Sequence, residues 1–245
     1  MRLHRLAFSI VAVPLLAVTA APRAALRQEV KEPPPTPVTH TQPTSAPYAP
    51  PPHIRPHEAP ESEDRPLLAA LRSSVTSLSG DSWTRASVFE VGSDIFENQF
   101  ARLFEKERVK RLAAGFREGW VQVFLKLPAT VTIQVVDMGT TEVAHDFYLI
   151  NMEFVEEQLN ATDQAEDATV TQISRTDPPL AGIDEAHERV YDLVVGDLPP
   201  TRTQTLVARA GRHVLIATFM QTTTPPEAAR AAIAALAGRL PGNGG

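Results

Sequence analysis

The sequence predicts an α+β fold, an antiparallel sheet covered by helices, as a single domain over residues 68–240. Three observations carry this. Strand-like alternation comes in neighbouring pairs joined by short turns, at 120–138 and again at 204–220, rather than in βαβ units. Apolar residues spaced three and four apart mark helices between and after those pairs. The first 67 residues lack the composition to form a core, which leaves the rest to fold as one unit.

The elements follow in order. Pro66-Leu67-Leu68-Ala69-Ala70-Leu71-Arg72 opens a short helix, and Ser79-Gly80-Asp81-Ser82 breaks it. Trp83 to Val91 reads equally as a strand or a packed loop. Residues 94–114 are helical by period, with Phe96, Phe100, Leu103 and Phe104 on one face. Val109, Leu112 and Ala113 resume the stripe after a slip at Glu105–Arg108, which suggests two short helices or a bend. Gly115 fits a helix C-cap.

Trp120 to Leu127 and Thr130 to Met138 form a hairpin turned at Pro128-Ala129. In its second strand Val131, Ile133 and Val135 alternate with Thr132 and Gln134. Residues 140–159 are helical, with Val143, Phe147, Ile150 and Phe154 spaced 4, 3, 4 and Thr140 at the N-terminus. Asn160 through Asp167 reads as a polar loop. The last third is a meander: Arg189–Val195, then Gln204–Ala208, a Gly211-Arg212 turn, and His213–Met220. Tyr191, Phe219, Trp120 and Phe147 fall at core phases. Thr224-Pro225-Pro226-Glu227 is a capping box with proline at the first helical position. Ala229, Ile233, Leu236 and Leu240 follow at helical spacing, and residues 241–245 read as a flexible tail.

The N-terminal part carries addressing information. Arg2, His4 and Arg5 precede an uncharged run of 17 residues, Leu6 to Pro22, and Val18-Thr19-Ala20 offers small residues for cleavage after Ala20. This predicts a signal peptide, residues 1–20, and a secreted or extracytoplasmic protein. The competing expectation is an uncleaved anchor. Against it, the run is at the short end of the ~17–25 residues a span needs, Pro14 interrupts it, and Arg23 and Arg27 sit on the outer flank. Residues 32–67 hold 12 of the 22 prolines, so residues 21–67 read as a disordered tether with polyproline-II bias.

Composition excludes several chemistries. With no cysteine there is no disulfide framework, thiol catalysis, iron–sulfur centre or lipidated N-terminal cysteine. A net charge of −6 argues against nucleic-acid binding. Asp184-Glu185-Ala186-His187 spells a helicase box, but no phosphate loop accompanies it. Asp184, Glu185, His187 and Glu188 are weak candidates for a cation, because adjacent residues on a strand point to opposite faces. His145, His187 and His213 have no recognisable nucleophile or acid partner in the sequence. Asn160-Ala161-Thr162 matches the glycosylation acceptor pattern, which also arises by chance. No catalytic residue, metal ligand or cofactor is therefore predicted.

Ala114-Gly115-Phe116-Arg117-Glu118-Gly119-Trp120 is the start of a longer pattern. A Gly-Phe-x-x-Gly-Trp turn leads into a strand pair, then a helix after a Gly-Thr step. An Arg-Val-Tyr strand and a glycine-turned hairpin before an alanine-rich helix complete it. Over about residues 90–240 this resembles actinobacterial secreted proteins of unknown function, and it is similar to extracellular sensor-type domains of actinobacterial protein kinases. Such relatives often carry a lipobox cysteine or paired cysteines, and this chain has neither. The resemblance implies an envelope-associated α+β binding domain and assigns no ligand.

Two functional expectations result. One is an exported, non-catalytic binding or sensor-like module of the cell envelope, whose partner is an envelope protein, lipid, glycan or small molecule. The alternative is an exported hydrolase built on an acid pair among Asp137, Asp146, Asp184, Glu185 and Asp192. A pair facing across a cleft, one member with a raised pKa, would favour it.

Overall fold

Alternation of apolar and polar residues organises the chain around one sheet. The computed structural model describes residues 65–74, 84–93, 96, 100–101, 103–126, 129–164, 168–220 and 226–241. In chain order the elements are α1 (Pro66–Ser74), β1 (Thr84–Glu90), α2 (Lys106–Gly115), β2 (Glu118–Lys126), β3 (Ala129–Asp137), α3 (Thr141–Asp163), β4 (Ala168–Thr176), β5 (Glu185–Val195), β6 (Thr201–Ala210), β7 (His213–Met220) and α4 (Pro226–Ala237). The seven strands form one antiparallel sheet in the order β1-β2-β3-β7-β6-β5-β4. This is the predicted α+β class. Among the described residues no helix is long and apolar enough to cross a membrane.

Period two assigns each residue to a face. Trp120, Phe124, Val131, Ile133, Val135, Leu206, Ala208, Leu215, Ala217 and Phe219 point to one side, where α1 supplies Leu67, Leu68 and Leu71 and α4 supplies Ala229, Ile233 and Leu236. The opposite face is covered by α2 and α3. There Phe147, Ile150 and Phe154 pack with Phe96 and Phe100 over Val136, Val207 and Val214. Phe100 lies edge-on to both Phe147 and Phe154, at ring centroid distances of 6.0 and 5.6 Å. Trp120, Phe147, Phe219 and Tyr191 are all buried, as their phases predict.

Two glycines make the approach of α2 to α3 possible. A Cβ on Gly115 would sit 2.5 Å from Val143 Cγ1, so this residue serves close contact between helices. Gly139 adopts φ 74°, a conformation glycine reaches without strain, between β3 and α3. Thr140 then caps α3, its side-chain oxygen accepting from the Val143 amide at 3.3 Å.

Several expectations need correction. The domain reaches back beyond Leu68. Leu67 is buried, while Arg65 pairs with Glu90 at 2.9 Å and lies over the Trp120 ring. The helix expected over 94–114 is described only as Lys106–Gly115, and Leu103 is exposed. α3 runs on to Asp163, through half of the expected loop, and a strand, β4, follows that the sequence reading lacked. Val195, at the end of the strand expected over Arg189–Val195, is exposed. The signal peptide, the tether before Arg65, Trp83, the Thr224-Pro225 cap and the tail from 242 lie outside the described residues.

Candidate functional site

The two faces of the sheet differ in chemistry, and the difference locates the candidate site. The α1/α4 side is a continuous apolar core around a few buried polar side chains. Beneath α3 the sheet is apolar at Val136, Val214, Val207 and Ile216. Farther along the helix a polar row crosses five strands in register. Arg175 (β4) is opposite Arg189 (β5), Arg189 opposite Thr205 (β6), Thr205 opposite Thr218 (β7), and Thr218 opposite Thr132 (β3). Gln134, Thr203 and Tyr191 flank it, and like Arg189, Thr205 and Thr218 they are buried.

A small cavity lies in this seam, lined by Thr132, Gln134, Asn151, Thr205 and Thr218 together with Phe154, Val155, Val207 and Ile216. The Thr132 hydroxyl is buried and has no hydrogen-bond partner. Asn151 on α3 does not satisfy the sheet, because its Nδ2 donates to the Phe147 carbonyl of its own helix at 2.7 Å. Beyond Val155, the last two turns of α3 contribute no fully buried residue.

At the β4–β5 end the seam becomes charged. The buried Arg189 guanidinium pairs through Nη2 with Glu156 of α3. Its Nε donates to His187 Nε2 at 3.4 Å and its Nη1 to Gln172 Oε1 at 3.3 Å. Arg175 Nη1 lies 3.7 Å from the same Glu156 oxygen. Burial lowers the Arg189 pKa, with Tyr191 acting the other way. Burial likewise raises that of Tyr191.

The candidate carboxylates are all engaged with arginine. Asp137 pairs with Arg212, Asp146 with Arg108 and Arg111, Asp184 and Glu185 with Arg209, and Asp192 with Arg202. Burial works to raise Asp146, but hydrogen bonds from Arg111 and Arg108 outweigh it and hold the carboxyl below the usual range. The same opposition, with Arg209 and His145 as donors, lowers Glu185. Arg202 lowers Asp192 directly. A general acid at neutral pH needs the opposite shift.

The histidines are placed by structural roles. His187 Nδ1 lies 2.6 Å from Asp177 Oδ1, and its Nε2 lies 3.4 Å from Arg189 Nε, so both ring nitrogens are engaged within the fold. His145 pairs with Glu185 at 2.8 Å. His213 is buried beside a hollow formed with Gly139, Thr140, Arg212 and Pro241. Burial, the largest influence, lowers its pKa against the pull of Asp137. The Asp184–Glu188 cluster is split by the strand: Glu185 and His187 face α3, whereas Glu188 faces α4 and pairs with Arg230. Among the described residues no group of three or more such side chains is placed to hold a metal ion. Tyr148, over this end of β5, is pushed up to about 12 by burial and by Glu185 and Asp177.

No family model matches the chain, and no curated protein does. Among solved structures it is similar to the extracellular domain of PknH from Mycobacterium tuberculosis. The TM-score is 0.45 at 12% identity, over 70% of this chain and 93% of that one. It is also similar to an uncharacterized protein of Mycobacterium smegmatis, the Rv0999 ortholog, with TM-score 0.39 at 10% identity, over 69% of this chain and 95% of that one. These likenesses are weak and assign no ligand or activity.

Proposed function

We propose that the chain is an exported binding module without catalytic turnover, and that its ligand is held in the seam between α3 and the β4–β7 part of the sheet. The observation that carries this reading is the polar row from Arg175 to Thr132, buried at Arg189, Thr205 and Thr218 and covered by a helix that leaves it incompletely satisfied. A helix–sheet contact serving stability alone gains most from apolar side chains, as on the α1/α4 face. The buried hydroxyls of Thr132 and Thr205, which lack partners, weaken such a contact. They supply the convergent polar groups a ligand site needs. Export rests on residues 1–20 and presentation beyond the membrane on the proline-rich segment that follows, both read from sequence. The arginine pairing of Asp137, Asp146, Asp184, Glu185 and Asp192 supports binding over hydrolysis, since it removes the acid pair the alternative requires.

The test is an NMR titration of the mature protein with a panel of small polar compounds: N-acetylated sugars, amino acids, acetate and inorganic phosphate. Shifts at Thr132, Asn151, Thr205 and Thr218 on saturable binding support the reading. Binding confined to other surfaces, or conversion of a compound during the titration, overturns it.

A further inference from the structure

We propose that Arg189 and Arg175 form a receptor for an oxyanion, a phosphate or carboxylate group carried by the ligand, and that Glu156 occupies this receptor as an internal stand-in. The proposal rests on the seam being the binding site, and it names the chemistry recognised there.

The two arginines are directly opposite each other on neighbouring strands and on the same face. Like charges in that relation repel. One carboxylate, that of Glu156, lies against both guanidinium groups. The other contacts of Arg189 bring no counter-charge and are long: His187 Nε2 at 3.4 Å and Gln172 Oε1 at 3.3 Å. His187 is itself engaged by the exposed Asp177, on the far side of the ring from Arg189. The guanidinium fork matches phosphate and carboxylate geometry, and Arg189 is 5% exposed, so an anion there would be desolvated on binding.

The placement of Glu156 makes it displaceable. It belongs to the last two turns of α3, where no residue is fully buried. Lifting those turns uncovers no fully buried residue and breaks one bond to β4, from the Val170 amide to Asp163, whereas α3 up to Val155 is fixed by Phe147, Ile150 and Phe154. An incoming oxyanion would replace one carboxylate with another group of the same charge, contact Arg189 and Arg175 together, and extend toward Thr205 and Thr218.

The experiment compares the wild-type protein with Glu156→Gln, and with Glu156→Gln combined with Arg189→Met. Thermal melts are followed against inorganic phosphate and against acetate, with chloride at matched ionic strength as the control. Removing the stand-in should tighten apparent phosphate or acetate affinity by about tenfold or more if the wild-type site is open no more than a tenth of the time. The added Arg189→Met should abolish the gain. Glu156→Asp, which keeps the charge on a shorter arm, should be intermediate and gives a folded comparison if Glu156→Gln does not fold. A response to phosphate but not acetate identifies the source as a phosphoryl group. Dihexanoyl phosphatidylglycerol, tested alongside, should bind tighter than phosphate only if the source is a lipid headgroup.

The proposal is overturned if Glu156→Gln, or Glu156→Asp where only that variant folds, shows the wild-type anion dependence. It is also overturned if the gain survives Arg189→Met. A neutral compound bound at Thr132 and Thr218 alongside an unchanged anion response overturns the oxyanion receptor and leaves the seam as the site. Absence of any compound from the seam, together with an anion response mapping elsewhere, overturns both.

Discussion

Replacing Arg230 with methionine should destabilise the domain by about 3 kcal/mol, although α4 keeps its apolar face. The reason lies in Glu188, which points from β5 into the α4 side of the sheet and is 1% exposed. Arg230 donates to it twice, at 3.0 Å through Nε and 2.5 Å through Nη2. Gln204 Nε2 donates at 2.9 Å and Thr176 Oγ1 at 3.2 Å. Without Arg230 the carboxylate keeps two neutral donors and no counter-charge. Stranding a buried charge in this way costs ~3–5 kcal/mol. The Arg230 side chain is 32% exposed, so water reaches the gap, and the low end of that range applies. At ~2–4 °C per kcal/mol for a domain of this size, the melting temperature should fall by about 6–12 °C. Urea denaturation at unchanged slope is the assay. The double variant Glu188→Met with Arg230→Met should recover most of the loss, because apolar replacement of a buried pair is neutral or stabilising. A loss below about 1 kcal/mol for Arg230→Met, or a double variant no better than the sum of its singles, would refute the reasoning.

Four further outcomes are expected. Gly115→Ala should cost about 1–3 kcal/mol by overpacking, since its Cβ would meet Val143 Cγ1 at 2.5 Å and the Met138 carbonyl at 3.2 Å; an unchanged denaturation midpoint would show that α2 can shift. Thr132→Val should be neutral or stabilising by up to about 1 kcal/mol, because the hydroxyl it removes has no partner; a clear loss in the same melt would mean the hydroxyl is bonded in solution. Asp146, lowered when folded, stabilises the domain above its unfolded pKa of ~3.9, and the benefit is lost as pH falls through the folded value. Asp146→Asn should therefore lower the melting temperature at pH 7 and flatten its fall below about pH 4; parallel curves would show that the arginine contacts contribute nothing. Amide hydrogen exchange should be faster over 157–163 than over 147–154, since protection follows burial along α3; equal protection would tie the helix end down.

The legible parts of this fold are those where one face is apolar and the signal is local. β3 alternates from Ala129 to Val135, β7 is a short apolar run entered from the turn at Gly211 with φ 57°, and α4 repeats at 4, 3, 4. β4 was illegible because it is an edge strand lying mostly in solvent, so neither side of it is selected to be apolar. The end of α3 was illegible for the same reason: Glu156 to Asp163 carry no buried stripe to read. Thr132 and Gln134 show a different failure. Their alternation with Val131, Ile133 and Val135 is visible in the sequence, but it does not say what covers the polar side, where the structure places α3. The polar row itself is a property of register. Its members come from five strands spread between residues 132 and 218, and no window along the chain contains them.

The same register places two opposite charges side by side in β5 and sends them to opposite faces. Glu188 goes to Arg230 of α4, and its neighbour Arg189 goes to Glu156 of α3. One dipeptide thus attaches a helix to each side of the sheet through a single kind of bond. The surroundings make the two attachments differ. Around Glu188 the α4 helix is also held by Ala229, Ile233 and Leu236, so opening the pair would expose an apolar core. Around Arg189 the α3 helix contributes Glu156 with no fully buried residue after it, and the sheet presents Thr205, Thr218 and Tyr191. Breaking the first pair costs hydrophobic burial as well as an ion pair. Breaking the second costs the contacts of Glu156 with Arg189 and Arg175 and the bond from the Val170 amide to Asp163, but no fully buried side chain. An ion pair is therefore structural or exchangeable according to the apolar area that must open with it, and by that measure the Glu188–Arg230 pair is the structural one and the Arg189–Glu156 pair is where the proposed exchange would occur.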